Sequence, residues 1–139
     1  MSTGIIIIFK NHQKEIEQFE LHKTSLPICL VNNASKDNTL QGLNNLKNKT
    51  LFPFSVLDIK KDRGLKKAIN AGSRFLTSQN DLTHIGFIIV ADIKSPIDIN
   101  DLIVNMEKQP LKITDIKEKS PKNVNYLKQV FSVLSLSFN

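Results

Sequence analysis

The fold of this chain is best read from residues 85–92, Ile-Gly-Phe-Ile-Ile-Val-Ala-Asp, where an unbroken apolar run meets a single carboxylate. Residues 87–91 show no polar alternation, which is typical of a strand buried on both faces, such as the central strand of a parallel sheet. The run stops at Asp92. Open α/β sheets bind ligands at the carboxyl ends of their strands, so Asp92 is a candidate ligand contact.

Upstream of this stretch, short apolar runs alternate with segments that have helical spacing. The runs at 4–9, 28–31 and 54–59 predict strands, and two of them follow a proline. The apolar residues between them recur every three or four positions and predict helices at 13–23, 40–49 and 65–76. Regular alternation at this spacing predicts an α/β domain with a parallel sheet and right-handed crossovers.

Downstream of Asp92 the pattern predicts a helix over 98–108, which Pro110 ends, and an edge strand over 111–116. A terminal amphipathic helix is predicted from the spacing of Val124, Leu127, Val130, Phe131 and Leu134. The length of 139 residues suits one domain. We therefore expect a single domain over 1–139, in which 1–108 form the core and 109–139 supply the edge strand and terminal helix.

The net charge of +6 admits nucleic acid, an anionic membrane surface or phosphate-bearing ligands as partners. The composition holds no Trp and one Tyr, which argues against a stacking surface for single strands, so nucleic acid ranks last. Cys29 is the only cysteine, which excludes a disulfide framework and predicts a core residue. The apolar run at 5–9 is too short to span a membrane and lacks a cationic leader, so a cytoplasmic protein is expected.

Several common catalytic signatures are missing from the sequence. It contains no Gly-x-Ser-x-Gly elbow, no Gly-x-Gly-x-x-Gly after the first strand and no Walker A loop. His12, His22 and His84 are isolated from one another along the chain. The fold class by itself leaves the function open.

Three loops carry a more specific signal, because each follows a predicted strand. Residues 31–39, Val-Asn-Asn-Ala-Ser-Lys-Asp-Asn-Thr, resemble the V-D-[DN]-[GA]-S-x-D-x-T segment of family 2 glycosyltransferases. Residues 62–72 resemble their N-x-G-x-x-x-A-x-N-x-G segment, and Val90-Ala91-Asp92 falls where they carry an Asp-x-Asp metal motif. The resemblance implies a GT-A-like fold, a three-layer α/β/α arrangement with a Rossmann-like, mostly parallel sheet.

Residues 91–99, Ala-Asp-Ile-Lys-Ser-Pro-Ile-Asp-Ile, resemble the A-D-L-Q-H-P-P-E-D-I stretch of the dolichyl-phosphate mannose synthase-like branch. Members of this branch move a sugar from a nucleotide donor to a polyprenyl phosphate. The similarity covers residues 4–108, while full enzymes continue into a half that supplies the acceptor site. The resemblance therefore implies a transferase truncated after its nucleotide-binding half, either cytoplasmic or peripheral at the inner face of the membrane.

The resemblance also implies a set of site residues. Lys10, Asn11 and Asn33 would frame the nucleobase, and a divalent cation, manganese or magnesium, would bind Asp92 and bridge the diphosphate. The complete set implied for nucleotide-sugar binding is Lys10, Asn11, Asn33, Ser35, Asp62, Arg63, Gly64 and Ala91, with Asp92 as the metal ligand. These residues could instead have purely structural roles. Ser35, Asp37 and Asp92 can cap helices, and Gly64 can be needed only for the backbone conformation that glycine allows.

Departures from the family pattern leave two functional hypotheses open. Val90 replaces the first carboxylate of the metal motif, Asn32 replaces an aspartate after the second strand, and Lys94 places a cation near the metal position. No residue is identified as a catalytic base. The chain is therefore either a glycosyltransferase or a catalytically degenerate binding or scaffold module that acts through a partner subunit or through a second copy of itself.

Overall fold

A computed structural model describes residues 2–95, 97–108 and 129–136. Along the chain the elements are β1 (Thr3–Phe9), α1 (Gln13–Glu17), β2 (Ile28–Asn33), α2 (Thr39–Lys49), β3 (Ser55–Ile59), α3 (Leu65–Gln79), β4 (His84–Ile89), α4 (Ile97–Lys108) and β5 (Gln129–Ser132). In the described part these five strands are parallel and lie in the order β3-β2-β1-β4-β5, with helices on both sides of the sheet. The expected three-layer α/β/α architecture with a parallel sheet is confirmed.

Strand β1 lies in the middle of the sheet because it is the most completely apolar strand. Ile5, Ile6 and Ile7 are each 0% exposed. Ile7 pairs with Leu30 of β2 on one side and with Ile88 of β4 on the other. Strand β4, which the sequence suggested as the central strand, lies one place away, between β1 and β5. After β1 the chain adds β2 and β3 on one side of it, and then crosses over to add β4 and β5 on the other side. The topological switch point therefore lies between β1 and β4.

The two faces of the sheet carry different helices. Residues of α1, α2 and α4 share one buried cluster with Ile7, whereas residues of α3 share a second cluster with Ile6. Helix α3 approaches the sheet closely at Gly72, where an added Cβ would lie 2.9 Å from Ile6 Cγ2 and 3.1 Å from Val31 Cγ2. Both faces of the sheet are therefore covered, which explains why its strands lack polar alternation.

The predicted terminal helix is wrong over residues 129–135. Val130 and Phe131 belong to strand β5, where they pair with Ile85 and Gly86, and Leu134 lies in the 3-10 helix Val133–Ser135 that follows. Phe131 is 2% exposed, so the strand is held by burial against β4. A strand of four residues is too short to distinguish from a helix by spacing. The predicted edge strand at 111–116 and the helix residues at 124–128 lie outside the described residues.

Helix α1 is shorter than the predicted 13–23, since it ends at Glu17. The segment after it is pinned by Asn100 of α4, whose Oδ1 accepts from His22 N–H at 2.9 Å and whose Nδ2 donates to Glu20 O at 2.7 Å. Strand β4 also ends earlier than expected, at Ile89, and Val90–Asp92 form a 3-10 helix. Asp92 therefore lies one short turn beyond the strand.

Candidate functional site

The loops that follow β1 and β2 are joined at the carboxyl edge of the sheet. Asn11 N–H donates to Ser35 Oγ at 3.0 Å, and Lys36 N–H donates to Asn11 Oδ1 at 2.7 Å. Both loops need a left-handed residue to make this contact, with φ of 57° at Asn11 and 52° at Ala34. Asn tolerates this conformation, but Ala pays for it with local strain of about 1–2 kcal/mol. Asn11 and Ser35 are therefore brought together, and hydrogen bonds join the loop that contains Asn11 to the loop that contains Ser35.

A second set of hydrogen bonds ties the start of α1 to the start of α2. His12 N–H donates to Thr39 Oγ1 at 2.9 Å, Gln13 N–H donates to Asp37 Oδ2 at 3.2 Å, and Asn38 N–H donates to Gln13 Oε1 at 3.1 Å. Asp37 Oδ1 also accepts from Thr39 N–H at 3.0 Å and from the Thr39 hydroxyl. We call residues 11–13 and 35–39 the loop clip. Asp37 therefore has a structural role as a turn residue that accepts from the first residue of each helix, while the N-cap position of α2 is Asn38.

The loop clip favours the ionised form of Asp37. Desolvation acts to raise the pKa of this exposed carboxyl group, but hydrogen bonds from the Thr39 hydroxyl and from the Gln13 and Thr39 N–H groups outweigh it. The pKa of Asp37 is therefore lowered from its ordinary value. A carboxylate that accepts several N–H and O–H bonds is stabilised as the anion. Asp37 is thus a structural residue that holds the two loops in register.

Asn33 is the least satisfied polar residue at this edge. It ends β2, is 4% exposed, and its Oδ1 has no hydrogen-bond partner within the described part of the chain. Strand alternation places Asn33 on the α3 side, with Cys29 and Val31. A buried acceptor without a partner costs about 1–3 kcal/mol, so a ligand that donates to it would recover that loss.

Asn32 provides a contrast on the opposite side of the same strand. It is also 4% exposed, and its Oδ1 likewise has no partner among the described residues. Its Nδ2, however, donates to Asp58 Oδ1 at 2.9 Å, which ties β2 to β3. The sequence reasoning missed this pair, although an Asn and an Asp at paired positions near two strand ends are a signal for it.

An ion pair between Lys10 and Asp62 connects the loop after β1 with the loop after β3. The Nζ–Oδ2 distance is 2.5 Å, and the side chains are 45% and 46% exposed. The hydrogen bond from Lys10 is the main cause of a lowered Asp62 pKa, followed by the Gly64 N–H bond and the lysine charge. The sequence placed both residues in the site but did not predict their contact.

Gly64 allows the chain to turn from this ion pair into α3. Its φ of 94° and ψ of 162° lie in a region that essentially only glycine occupies, and its N–H donates to Asp62 Oδ1 at 2.9 Å. An added Cβ would meet nothing within 4 Å, so glycine is required here by the backbone and not by space. Arg63, between the two, is exposed. The conformational alternative for Gly64 is thus confirmed.

Asp92, the predicted metal ligand, and Ala91, a predicted nucleotide-sugar contact, follow β4 on the side of β1 opposite β2 and β3, in a 3-10 helix that contacts β1. Ala91 and Asp92 are exposed in the 3-10 helix, while Val90 is 5% exposed and belongs to the core. Across the described ranges no three His, Cys, Asp or Glu side chains are grouped so that they could hold a metal ion. The described residues therefore do not fit a preassembled cation site with three protein ligands.

Two clefts that the sequence did not suggest open at the opposite, amino edge of the sheet. One, of about 330 Å³, lies between the starts of β2 and β3 and the end of α3. The other, of about 340 Å³, lies beside the end of α2, next to the fully exposed Leu51. Only Pro27 and Pro53, which precede the two strands, hint at an irregular edge there.

Fold and site together define an α/β protein with a polar, partly cationic group of loop residues at the carboxyl ends of β1, β2 and β3. Comparison with models of known protein families gives no match, and comparison with curated proteins gives none either. Among the described residues no helix has the length and apolar character needed to cross a bilayer.

Proposed function

We propose that this chain binds the nucleoside diphosphate part of a nucleotide sugar at the carboxyl edge of β1–β3, as the donor-binding domain of a glycosyltransferase. The observation that carries the proposal is the buried Oδ1 of Asn33 at the end of β2, which has no hydrogen-bond partner among the residues that the structure describes. Ligands of open α/β sheets bind at this edge. The order of the three loop motifs along the chain supports the same ligand class.

The Asn33 oxygen favours a nucleobase that presents a ring N–H. Uracil and guanine carry such a donor on their pairing edge, whereas adenine and cytosine carry an unprotonated ring nitrogen there. Adenine and cytosine can donate to this oxygen only through their exocyclic amino groups, which lie at a different position on that edge. We therefore expect UDP or GDP to bind more tightly than ADP or CDP.

The diphosphate would meet positive charge at the same edge. Lys10 and Arg63 are exposed there, and α3, a helix of 15 residues, begins at Leu65. Helix N-termini present free N–H groups and a partial positive charge to anions. These groups would bind the diphosphate directly, without a metal ion held by protein side chains.

The acceptor that fits best is a phosphate, of which polyprenyl phosphate is the class the resemblance implies. A phosphate monoester is largely dianionic at neutral pH and is itself the nucleophile. Its oxygen attacks the anomeric carbon, the bond to the nucleoside diphosphate breaks, and the diphosphate leaves with that electron pair. Such an acceptor needs no general base from the protein.

The test is isothermal titration with UDP, GDP, ADP and CDP, after a thermal-shift screen with and without manganese. Asn33→Ala should weaken the tighter nucleotide by about tenfold or more, since it removes the buried acceptor. Asn32→Ala is the matched control: it removes an equally buried amide from the same strand, on the opposite face, and should change affinity by less than about threefold. The proposal fails if no nucleotide binds, or if both variants lose the same affinity.

A second candidate, a binding module without transfer activity, is favoured by Val90. This residue is part of the core where a metal motif requires a carboxylate, and no three-ligand cluster occurs in the described part of the chain. Such a module would bind the nucleotide sugar without transferring the sugar. A transfer assay separates the two: release of UDP or GDP that depends on an added polyprenyl phosphate supports the transferase, and binding without such release supports the binding module.

A further inference from the structure

The ion pair between Lys10 and Asp62 spans the carboxyl end of β2. Lys10 directly follows Phe9, the last residue of β1, and Asp62 lies three residues beyond Ile59, the last residue of β3. Strand β2 lies between β1 and β3, and neighbouring strands are about 4.8 Å apart. The side chains of Lys10 and Asp62 therefore bridge roughly 10 Å, across the strand that ends at Asn33.

The bridge and the unpaired oxygen of Asn33 lie on the same side of the sheet. Asn33 points to the α3 side by strand alternation, and α3 begins three residues after Asp62. Asn33 is also paired with Ile59, so it is adjacent to the strand end from which the Asp62 loop leaves. A nucleobase that reaches the Asn33 oxygen from this side would therefore approach next to the Lys10–Asp62 bridge.

We propose that Asp62 is a specificity-determining residue: its ion pair with Lys10 closes the approach to Asn33, and only a ligand that brings an anionic group to Lys10 opens it. The inference rests on the proposed function, because it concerns the same group of residues. It reverses the role that the resemblance implies for Asp62, since the carboxylate competes with the ligand for Lys10 and does not bind the nucleotide.

The exposure of the pair suits this role. An exposed ion pair is weak, so it can be broken at small cost in the presence of a stronger partner. A diphosphate brings more negative charge than one carboxylate and forms stronger charge-assisted bonds with the lysine. A nucleoside without phosphate offers Lys10 no replacement and gains nothing from breaking the pair. The bridge therefore selects phosphorylated nucleosides.

The test compares affinities for UDP or GDP, whichever the wild-type protein binds more tightly, with those for the corresponding nucleoside. Asp62→Asn keeps the oxygen that accepts from Gly64 N–H and removes only the charge that holds Lys10. We expect the diphosphate to bind about three- to tenfold more tightly to this variant. Asp58→Asn is the matched control, because it removes a carboxylate from β3 that contacts Asn32 and not Lys10; its affinity should stay within about twofold.

A second variant, Lys10→Met, opens the bridge but removes the phosphate partner. The ratio of diphosphate to nucleoside affinity should then fall by about tenfold from the wild-type ratio, while Arg63 and the start of α3 keep part of the preference for the diphosphate. Weaker diphosphate binding by Asp62→Asn would overturn the inference, because it would mean that Asp62 contacts the ligand. So would an equal gain in Asp58→Asn. Absence of binding in every variant would instead reject the proposed function, and the inference with it.

Discussion

At the scale of single residues, burial controls the chemistry of Cys29. The residue lies in β2, is 0% exposed, and burial raises the pKa of its thiol to about 12. The thiolate is the reactive form, so it is almost absent at neutral pH in the folded protein. We predict that a thiol reagent such as DTNB labels Cys29 only as fast as the protein unfolds, and at once in concentrated guanidinium. Rapid labelling in native buffer would contradict this prediction.

The backbone at Gly64 gives a second prediction at this scale. Its φ of 94° and ψ of 162° are available to glycine but costly for any residue with a Cβ, while the space around it is open. Gly64→Ala should therefore lower the free energy of unfolding by about 1–3 kcal/mol through backbone strain alone. Urea denaturation followed by circular dichroism measures the change. The exposed neighbour Lys66 provides the control, since Lys66→Ala should change stability by less than about 0.5 kcal/mol.

At the scale of elements, Asp37 joins the start of α1 to the start of α2. Its two oxygens accept from Gln13 and Thr39, so each serves a different loop. Asp37→Ala removes both contacts and should cost about 1–2 kcal/mol of unfolding free energy. Asp37→Asn keeps one acceptor oxygen and should cost less. Asp101→Ala, at an exposed aspartate of α4, is the control and should be nearly neutral. Equal effects of all three substitutions would argue against the loop clip.

The elements themselves could be predicted where burial on both faces left a clear pattern. Strands β1 to β4 and helices α2 to α4 follow from apolar runs and helical spacing, and only their ends differ by a few residues. Strand β5 could not be predicted, because Val130 and Phe131 fit a helical spacing with Leu134 and the pairing with β4 is a tertiary contact. The same reason explains α1, whose continuation is replaced by hydrogen bonds to Asn100.

The sequence could predict where the candidate site lies, but not which of its side chains contact each other. Parallel strands end at one edge, so motifs after β1, β2 and β3 had to lie near one another. That Asn11 binds Ser35, and Lys10 binds Asp62, depends on left-handed residues in the loops and on side-chain choices that no sequence pattern specifies. The sequence therefore indicated which residues gather at the edge, and the structure shows which of them already bind each other.

At the scale of the whole molecule, three titratable groups make stability depend on pH in two stages. Burial lowers the pKa of His84 from its ordinary value of 6.5, so the folded protein keeps this imidazole neutral where the unfolded chain takes up a proton. Stability therefore falls as pH drops below about 6.5, and the loss is complete once the folded His84 also titrates. Asp37 and Asp62 have lowered pKa values, so their contribution is complete above their ordinary value of 3.8 and is lost as pH falls through the lowered values.

We therefore predict that the urea concentration at the midpoint of unfolding, measured by circular dichroism, decreases in two stages as the pH is lowered from about 8. A pH range in which the midpoint changes less separates the two stages. His84→Gln should remove the upper stage, because glutamine has no charge to gain, and should leave the lower stage in place. Asp37→Asn should reduce the lower stage and leave the upper one unchanged, which makes each variant the control for the other. A single decline below about pH 4, with no contribution from His84, would mean that burial at the start of β4 does not hold the imidazole neutral.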